Sequence, residues 1–125
     1  MRKRERRVRR SSYTGAALSL QLQACAERSG VEAMILASRD GLVVASSPWN
    51  HDSTEQIAAR LSHVQAHQFR VDTVREAGAP PRTIAARGFD VGDEQMVVCA
   101  VGCPTENTVG ELYLAMGGIK RILAA

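Results

Sequence analysis

The feature that most constrains the fold is an Asp-Gly pair between two short apolar runs. The runs are VEAMILAS, residues 31–38, and LVVASS, residues 42–47, and Asp40-Gly41 lies between them. Both runs are rich in residues that favour β-strands. A tight hairpin turn needs positive φ, which glycine adopts without steric cost. The sequence therefore predicts a β-hairpin with Gly41 in its turn.

The second half of the chain predicts two more strands and a helix. Residues 82–91 alternate in polarity, which is typical of a strand, and Gly92-Asp93 then turns the chain. The run QMVVCAVG, residues 95–102, is apolar at both alternating sets of positions, so we expect a central strand covered on both faces. From Val109 to Leu123, apolar residues recur at intervals of three and four, which predicts a final helix.

Helical spacing also appears in the first half. Ser11–Thr14 offers N-cap residues, and Leu18, Leu22 and Cys25 then recur at helical intervals up to Gly30. These residues predict a first amphipathic helix that ends at a glycine.

A second helix is predicted to begin at Ser53, which has capping-box spacing to Gln56. Its end stays open, because residues 68–74 can either continue the apolar stripe or form a short strand. The order is helix, strand, strand, helix, strand, strand, helix. We therefore predict an α+β fold, an antiparallel sheet of four to five strands with helices packed on it.

Positive charge is concentrated at the start of the chain. The first ten residues, MRKRERRVRR, hold seven of the 16 basic residues, and the remainder has an excess of acidic residues. We predict a disordered basic tail over residues 1–12 and a single domain over residues 13–125. The tail can contact anionic lipid or nucleic acid weakly. Because we find neither a secretory signal nor an apolar span, we expect the protein in the cytoplasm.

The residues that could carry chemistry form no convincing site. We find no phosphate-binding loop, nucleophile elbow or zinc-protease motif, and the three cysteines lack metal-site spacing. His63 and His67 are four residues apart, which on a helix can place two imidazoles on one metal, but two solvated histidines are the simpler interpretation. We expect no cofactor, no metal and no enzymatic activity.

The segment GVEAMILASRDGLVVASS, residues 30–47, resembles the Roadblock family of small-GTPase regulators and dynein light chains. The matching features are the Gly30-Val31 pair, the apolar run that follows, the Asp40-Gly41 turn and the next strand. The helices on either side, the run MVVCAVG and the last helix extend the resemblance over residues 16–123. It implies a Roadblock/profilin-like fold, usually with five strands.

The resemblance also implies a function. Family members are homodimers that dock a Ras-like small GTPase and in some cases activate it, and their dimers join through an edge strand and the second helix. We place the partner-binding surface on the second helix, at Arg60, His63, Val64 and His67. The same helix carries the predicted dimer contact, at Ile57, Ala58 and Leu61, because small residues let a symmetry mate approach closely.

A ligand-sensing domain of PAS or GAF type is the alternative, since such domains also combine an antiparallel sheet with helices. A sensor of this type needs a roomy pocket, and this chain has few aromatic residues with which to line one. A small molecule bound to the purified protein would favour the sensor, and co-purification with a small GTPase would favour the docking domain.

Overall fold

A computed structural model describes residues 2–49, 53–75, 78, 80–102 and 106–124. In chain order the elements are helix α1 (Arg2–Ser29), strands β1 (Ala33–Ser38) and β2 (Val43–Ser46), helix α2 (Thr54–Arg60), a single 3₁₀ turn (Leu61–His63), strands β3 (Phe69–Val74), β4 (Arg82–Val91) and β5 (Glu94–Gly102), and helix α3 (Glu106–Ala124).

The five strands form one antiparallel sheet in the order β2-β1-β5-β4-β3. The predicted α+β class is therefore confirmed, and residues 69–74 form the fifth strand. Strand β5 lies in the centre, and all its residues from Met96 to Val101 are buried. This position explains why its sequence is apolar at both alternating sets of positions.

The predicted hairpin is confirmed by the antiparallel pairing of β1 with β2. In its turn, the Gly41 N–H donates to the carbonyl of Ser38 over 3.0 Å, and the Ser38 N–H donates to the carbonyl of Leu42 over 2.9 Å. Gly41 has φ of +79°, and a Cβ placed on it would lie 3.0 Å from the Cα of Ala59. Glycine is thus required twice, for the turn and for the close approach of α2.

Apolar side chains cover the sheet on both faces. On one face, α1 and α3 pack on the strands, and on the other face α2 and the 3₁₀ turn do so. The larger buried side chains on the α1/α3 face include Leu18, Leu22, Met34, Leu36, Phe89, Leu112 and Ile119. Those on the α2 face include Ile35, Ile57, Leu61, Ile84, Val97, Cys99 and Val101.

Helices α1 and α3 lie against each other on their face of the sheet. A Cβ on Gly118 of α3 would collide with the side chain of Gln21 on α1. Further along, Arg28 Nε donates to both carboxylate oxygens of Glu111, over 2.7 and 3.2 Å. Gly118 and the Arg28–Glu111 ion pair are therefore two points of contact between the helices.

Trp49 holds the start of α2 against the sheet. Its ring packs against the buried cluster of that face, and its Nε1 donates to the Thr54 hydroxyl over 2.7 Å. The Arg82 guanidinium lies 5.7 Å from the ring centroid, within cation–π range. A lone Trp before a helix can either pack on the core or form a contact surface, and the structure supports packing on the core.

The predicted start of α1 needs correction, whereas the predicted start of α2 at Ser53 is confirmed without its capping contact. Helix α1 begins at Arg2, before the Ser11–Thr14 segment, because arginine is a good helix former and extending a helix is easier than nucleating one. Ser53 is the N-cap of α2 but makes no side-chain capping hydrogen bond. Its φ and ψ of −86° and −3° are helical, whereas a capping side chain needs an extended backbone.

The division into a tail over residues 1–12 and a domain over residues 13–125 stays a prediction, as does a contact of the basic segment with lipid or nucleic acid. Within the described ranges, no helix is both long enough and apolar enough to cross a membrane.

Candidate partner-binding surface

Helix α2, the 3₁₀ turn and the adjacent side of β3 together form what we call the α2 surface. A shallow cavity of about 110 Å³ opens there. Its floor consists of Leu61, Val64, Ile84 and Ala86, and its rim consists of Arg60, His63, Arg70 and Asp72. Pockets for small molecules usually measure about 300 to 1,000 Å³. The cavity is therefore a notch in a protein surface and is small for a ligand-sensing pocket.

Arg60 joins the two sides of this notch. Its Nη1 lies 3.8 Å from Asp72 Oδ2, and it donates to the carbonyl oxygen of Thr73 over 3.4 Å. The side chains of Arg60 and Asp72 are each about half exposed, at 50% and 54%. Exposed ion pairs of this kind contribute little to stability, so Arg60 is able to exchange its partner.

The other two basic residues of the rim are Arg70 and His63. Neither side chain makes a hydrogen bond or ion pair with any residue in the part of the chain that the structure describes. Arg60 and Arg70 outnumber Asp72, so the notch has an excess of positive charge. Residues 11–125 contain more acidic than basic residues, so the charge of the notch is opposite to the net charge of this part of the chain. A positive surface of this kind steers acidic partners toward it.

The structure separates the four residues predicted to bind a partner. Arg60 and His63 are exposed on the α2 surface, whereas Val64 is only 7% exposed and forms part of the cavity floor. His67 lies beyond the helix in a turn, where its φ is +65°. Its N–H donates to the carbonyl of Gly88 over 2.9 Å, and its Nε2 lies 3.6 Å from Asp90 Oδ2.

The idea that His63 and His67 share one helix face is wrong, because α2 ends at Arg60 and the 3₁₀ turn ends at His63. Among the described residues, no group of three or more His, Cys, Asp or Glu side chains is placed to hold a metal ion.

The predicted dimer residues lie in the interior of the single chain. Ile57 and Ala58 are fully buried against the sheet, and Leu61 is 1% exposed. The apolar spacing of these residues therefore indicates the face of α2 that packs on the sheet of the same chain. A dimer contact through α2 stays a prediction, but it has to come from the exposed side of the helix, where Ala59 and Arg60 lie.

The sequence analysis missed Arg70 and Asp72, which complete the rim. The signal that could have found them is the polar set that alternates with Phe69 and Val71 in the segment FRVDTV. An edge strand exposed on both faces shows that pattern. From the sequence alone, however, the segment could be either a strand or a continuation of the helix.

Two of the thiols are buried and chemically quiet. Burial raises the pKa of the Cys99 thiol to about 12. Burial also raises the pKa of Cys25, and this outweighs the opposing effect of Arg28. Since the thiolate is the nucleophile, both cysteines act as packing residues. Of Cys99 and Cys103, the sequence favours Cys103, beside Pro104 at a strand end, as the more reactive thiol, and Cys103 lies outside the described residues.

Fold and surface define the class of the protein, a small α+β domain that offers an edge strand and a charged helix surface. Comparison with known proteins then relates part of the chain to a known family. The Roadblock/LC7 domain model matches residues 18–76, which run from α1 to just beyond β3 and include Arg60, His63, Arg70 and Asp72. A search of curated protein sequences found no match.

Three solved structures have a similar fold. MglB of Myxococcus xanthus is 12% identical with a TM-score of 0.53, over 86% of this chain and 85% of that one. An MglB structure with a tetrameric arrangement is 14% identical with a TM-score of 0.61, over 87% and 89%. A Roadblock/LC7 domain from Streptomyces avermitilis is 15% identical with a TM-score of 0.59, over 86% and 98%. Residues 18–76 therefore match the Roadblock/LC7 domain, which supports a regulatory domain, and the chain has the fold of these solved structures.

Proposed function

We propose that this chain is a homodimeric, non-enzymatic regulatory domain that docks a Ras-like small GTPase on its α2 surface. The Roadblock/LC7 match of residues 18–76 supports the class of partner. The observation that carries the proposal is the position of the charged α2 surface directly beside the edge strand β3. A dimer formed along that edge brings two α2 surfaces together as one platform.

Strand β3 is the better of the two sheet edges for pairing with another chain. The opposite edge strand, β2, has four residues, and its register with β1 shifts between Leu36 and Ala37. Strand β3 has six residues in unbroken register with β4. Short and irregular edges resist pairing, whereas long regular edges invite it.

The sequence of β3 favours one register for this pairing. If Val71 lies on the two-fold axis of an antiparallel pair, Arg70 lies opposite Asp72 of the partner subunit, and the same contact forms again on the other side of the axis. Cross-strand pairs of opposite charge contribute about 0.2 to 1 kcal/mol each. The register also keeps like charges apart, so it is favoured over its neighbours.

Docking of the GTPase depends on the basic residues that the dimer leaves open. In the proposed register Arg70 and Asp72 pair with each other across the axis, and Arg60 and His63 remain available for an acidic partner surface. We assign none of these residues a role in GTP hydrolysis. The effect of the domain on the GTPase comes from positioning the GTPase's own groups.

The test is binding of the purified protein to the source organism's own Ras-like small GTPases, each loaded with a non-hydrolysable GTP analogue. Arg60→Glu should weaken the complex at least tenfold, and its salt dependence should fall. The matched control is Lys120→Glu, which makes the same charge change at an exposed position on α3. Equal effects of the two variants, or no binding to any of these GTPases, would remove the docking function.

A further inference from the structure

The α1/α3 face of the sheet has room for one more helix. On that face α1 packs on β1 and β2, and α3 packs on β4 and β5, so β3 lies beyond both helices. Phe69 and Val71 of β3 point to this face, because they pair with Arg87 and Ala85 of β4. They are 41% and 59% exposed.

The neighbouring side of α3 continues the exposed apolar surface. Val109 and Tyr113 lie one helical turn apart and are 40% and 54% exposed. We call the region bounded by Phe69, Val71, Val109 and Tyr113 the β3–α3 slot. Scattered exposed apolar residues are ordinary, but four on adjacent elements form a patch that is typical of an interaction site.

Arg87 gives the slot its charge. Its guanidinium lies 5.3 Å from the centroid of the Tyr113 ring, between α3 and the edge strand. Arg87 Nε is buried and has no hydrogen-bond acceptor among the residues that the structure describes. An unsatisfied buried donor costs about 1 to 3 kcal/mol, more when it is charged. Lys120, two turns beyond Tyr113 on α3, adds a second cation on that side.

We propose that the β3–α3 slot binds an amphipathic helix of a protein partner, one that carries a carboxylate beside its apolar stripe. Packed helices lie about 8 to 10 Å apart, so a helix next to α3 would lie over β3. Its apolar side chains would cover Phe69 and Val71. Its carboxylate would pair with the guanidinium of Arg87, which is only partly exposed and sits where such a pair is strengthened.

This slot lies on the opposite face of the sheet from the α2 surface, so the inference does not depend on GTPase docking. The slot also stays open when the edge of β3 pairs with a second copy, because an added strand occupies the edge and leaves the face free. One domain can therefore bind a GTPase on one face and an acidic helix on the other.

The test begins with selection of displayed random 16-residue peptides on the wild-type protein. The expected consensus combines apolar residues at helical spacing with an Asp or Glu. The best peptide is then synthesised and titrated by fluorescence anisotropy. Tyr113→Ser and Val71→Ser should each weaken it about tenfold or more, and replacing its acidic residue with the matching amide should do the same.

Leu114→Ser is the matched control. Leu114 is 57% exposed and follows Tyr113 on the same helix, but its side chain points about 100° away around the axis. This variant should bind the peptide as the wild type does. Arg87→Lys should retain more affinity than Arg87→Gln.

Three results would overturn the proposal. One is a consensus without acidic residues, and another is equal loss of binding in Tyr113→Ser and Leu114→Ser. The third is a fall in the oligomeric state of Tyr113→Ser by light scattering, because a second copy of this chain would then be the occupant of the slot.

Discussion

Replacing Gly41 with alanine probes the point where the hairpin meets helix α2. Gly41 has φ of +79°, and a Cβ there would lie 3.0 Å from the Cα of Ala59 and 3.3 Å from the carbonyl oxygens of Ala58 and Ala59. Gly92 is a matched control, since it lies in the turn between β4 and β5 with φ of +59° and nothing within 4 Å of the same position.

The two substitutions share one cost and differ in another. An L-residue in the left-handed region costs about 1 to 2 kcal/mol, which applies to both. Only at Gly41 does the new methyl group press on helix backbone that is itself packed on the sheet, and overpacking of this kind costs about 1 to 3 kcal/mol. We therefore expect Gly41→Ala to lose about 2 to 5 kcal/mol of unfolding free energy and Gly92→Ala about 1 to 2 kcal/mol.

Urea unfolding measures both losses, at one fixed protein concentration because the stability of a dimer depends on it. The slope of unfolding free energy against urea should stay the same in all three proteins. If the two variants lose equal stability, the hairpin turn does not pack on α2 as described.

Three further predictions test the core, a buried thiol and the proposed dimer. Gly88→Ala should lose about 3 kcal/mol or more of unfolding free energy in the same urea assay, because its Cβ would collide with the Gln65 carbonyl oxygen. A near-neutral result would contradict the packing of the segment around Gln65 on β4. The folded chain keeps the Cys99 proton up to a pKa of about 12 while the unfolded chain releases it at lower pH, so stability should fall as pH rises from about 9 towards 12. Cys99→Ala should make the unfolding free energy depend less on pH in this range. An unchanged slope of unfolding free energy against pH would contradict the raised pKa of Cys99. Arg70→Asp should weaken the dimer in sedimentation equilibrium, and the double variant Arg70→Asp with Asp72→Arg should restore it, whereas failure of the swap would exclude the register centred on Val71.

Much of the fold could be predicted because local chemistry and tertiary structure agree there. Gly41 follows an aspartate between β-favouring runs, so the turn is encoded locally. Strand β5 is apolar on both sides because it is central, and burial leaves that mark in the sequence. Strand β3 stayed ambiguous because an edge strand is exposed on both faces, so Phe69 and Val71 follow no buried period.

The partner surface was predicted less well, for a physical reason. The spacing of Ile57, Ala58 and Leu61 shows that one face of α2 is buried, but it does not show what buries that face. In the structure the covering surface is the chain's own sheet. Arg70 completes the rim only because β3 returns beside α2, and that is a consequence of topology which no local pattern contains.

The central claim is that the α2 surface docks a Ras-like small GTPase, and amide hydrogen exchange tests it most directly. Exchange is compared for the protein alone and in complex with a GTPase from its source organism, loaded with a non-hydrolysable GTP analogue. The account predicts slower exchange in residues 54–64, on α2 and the 3₁₀ turn, and no change in the exchange of α3. Protection confined to α1 and α3, with residues 54–64 unchanged, would contradict it.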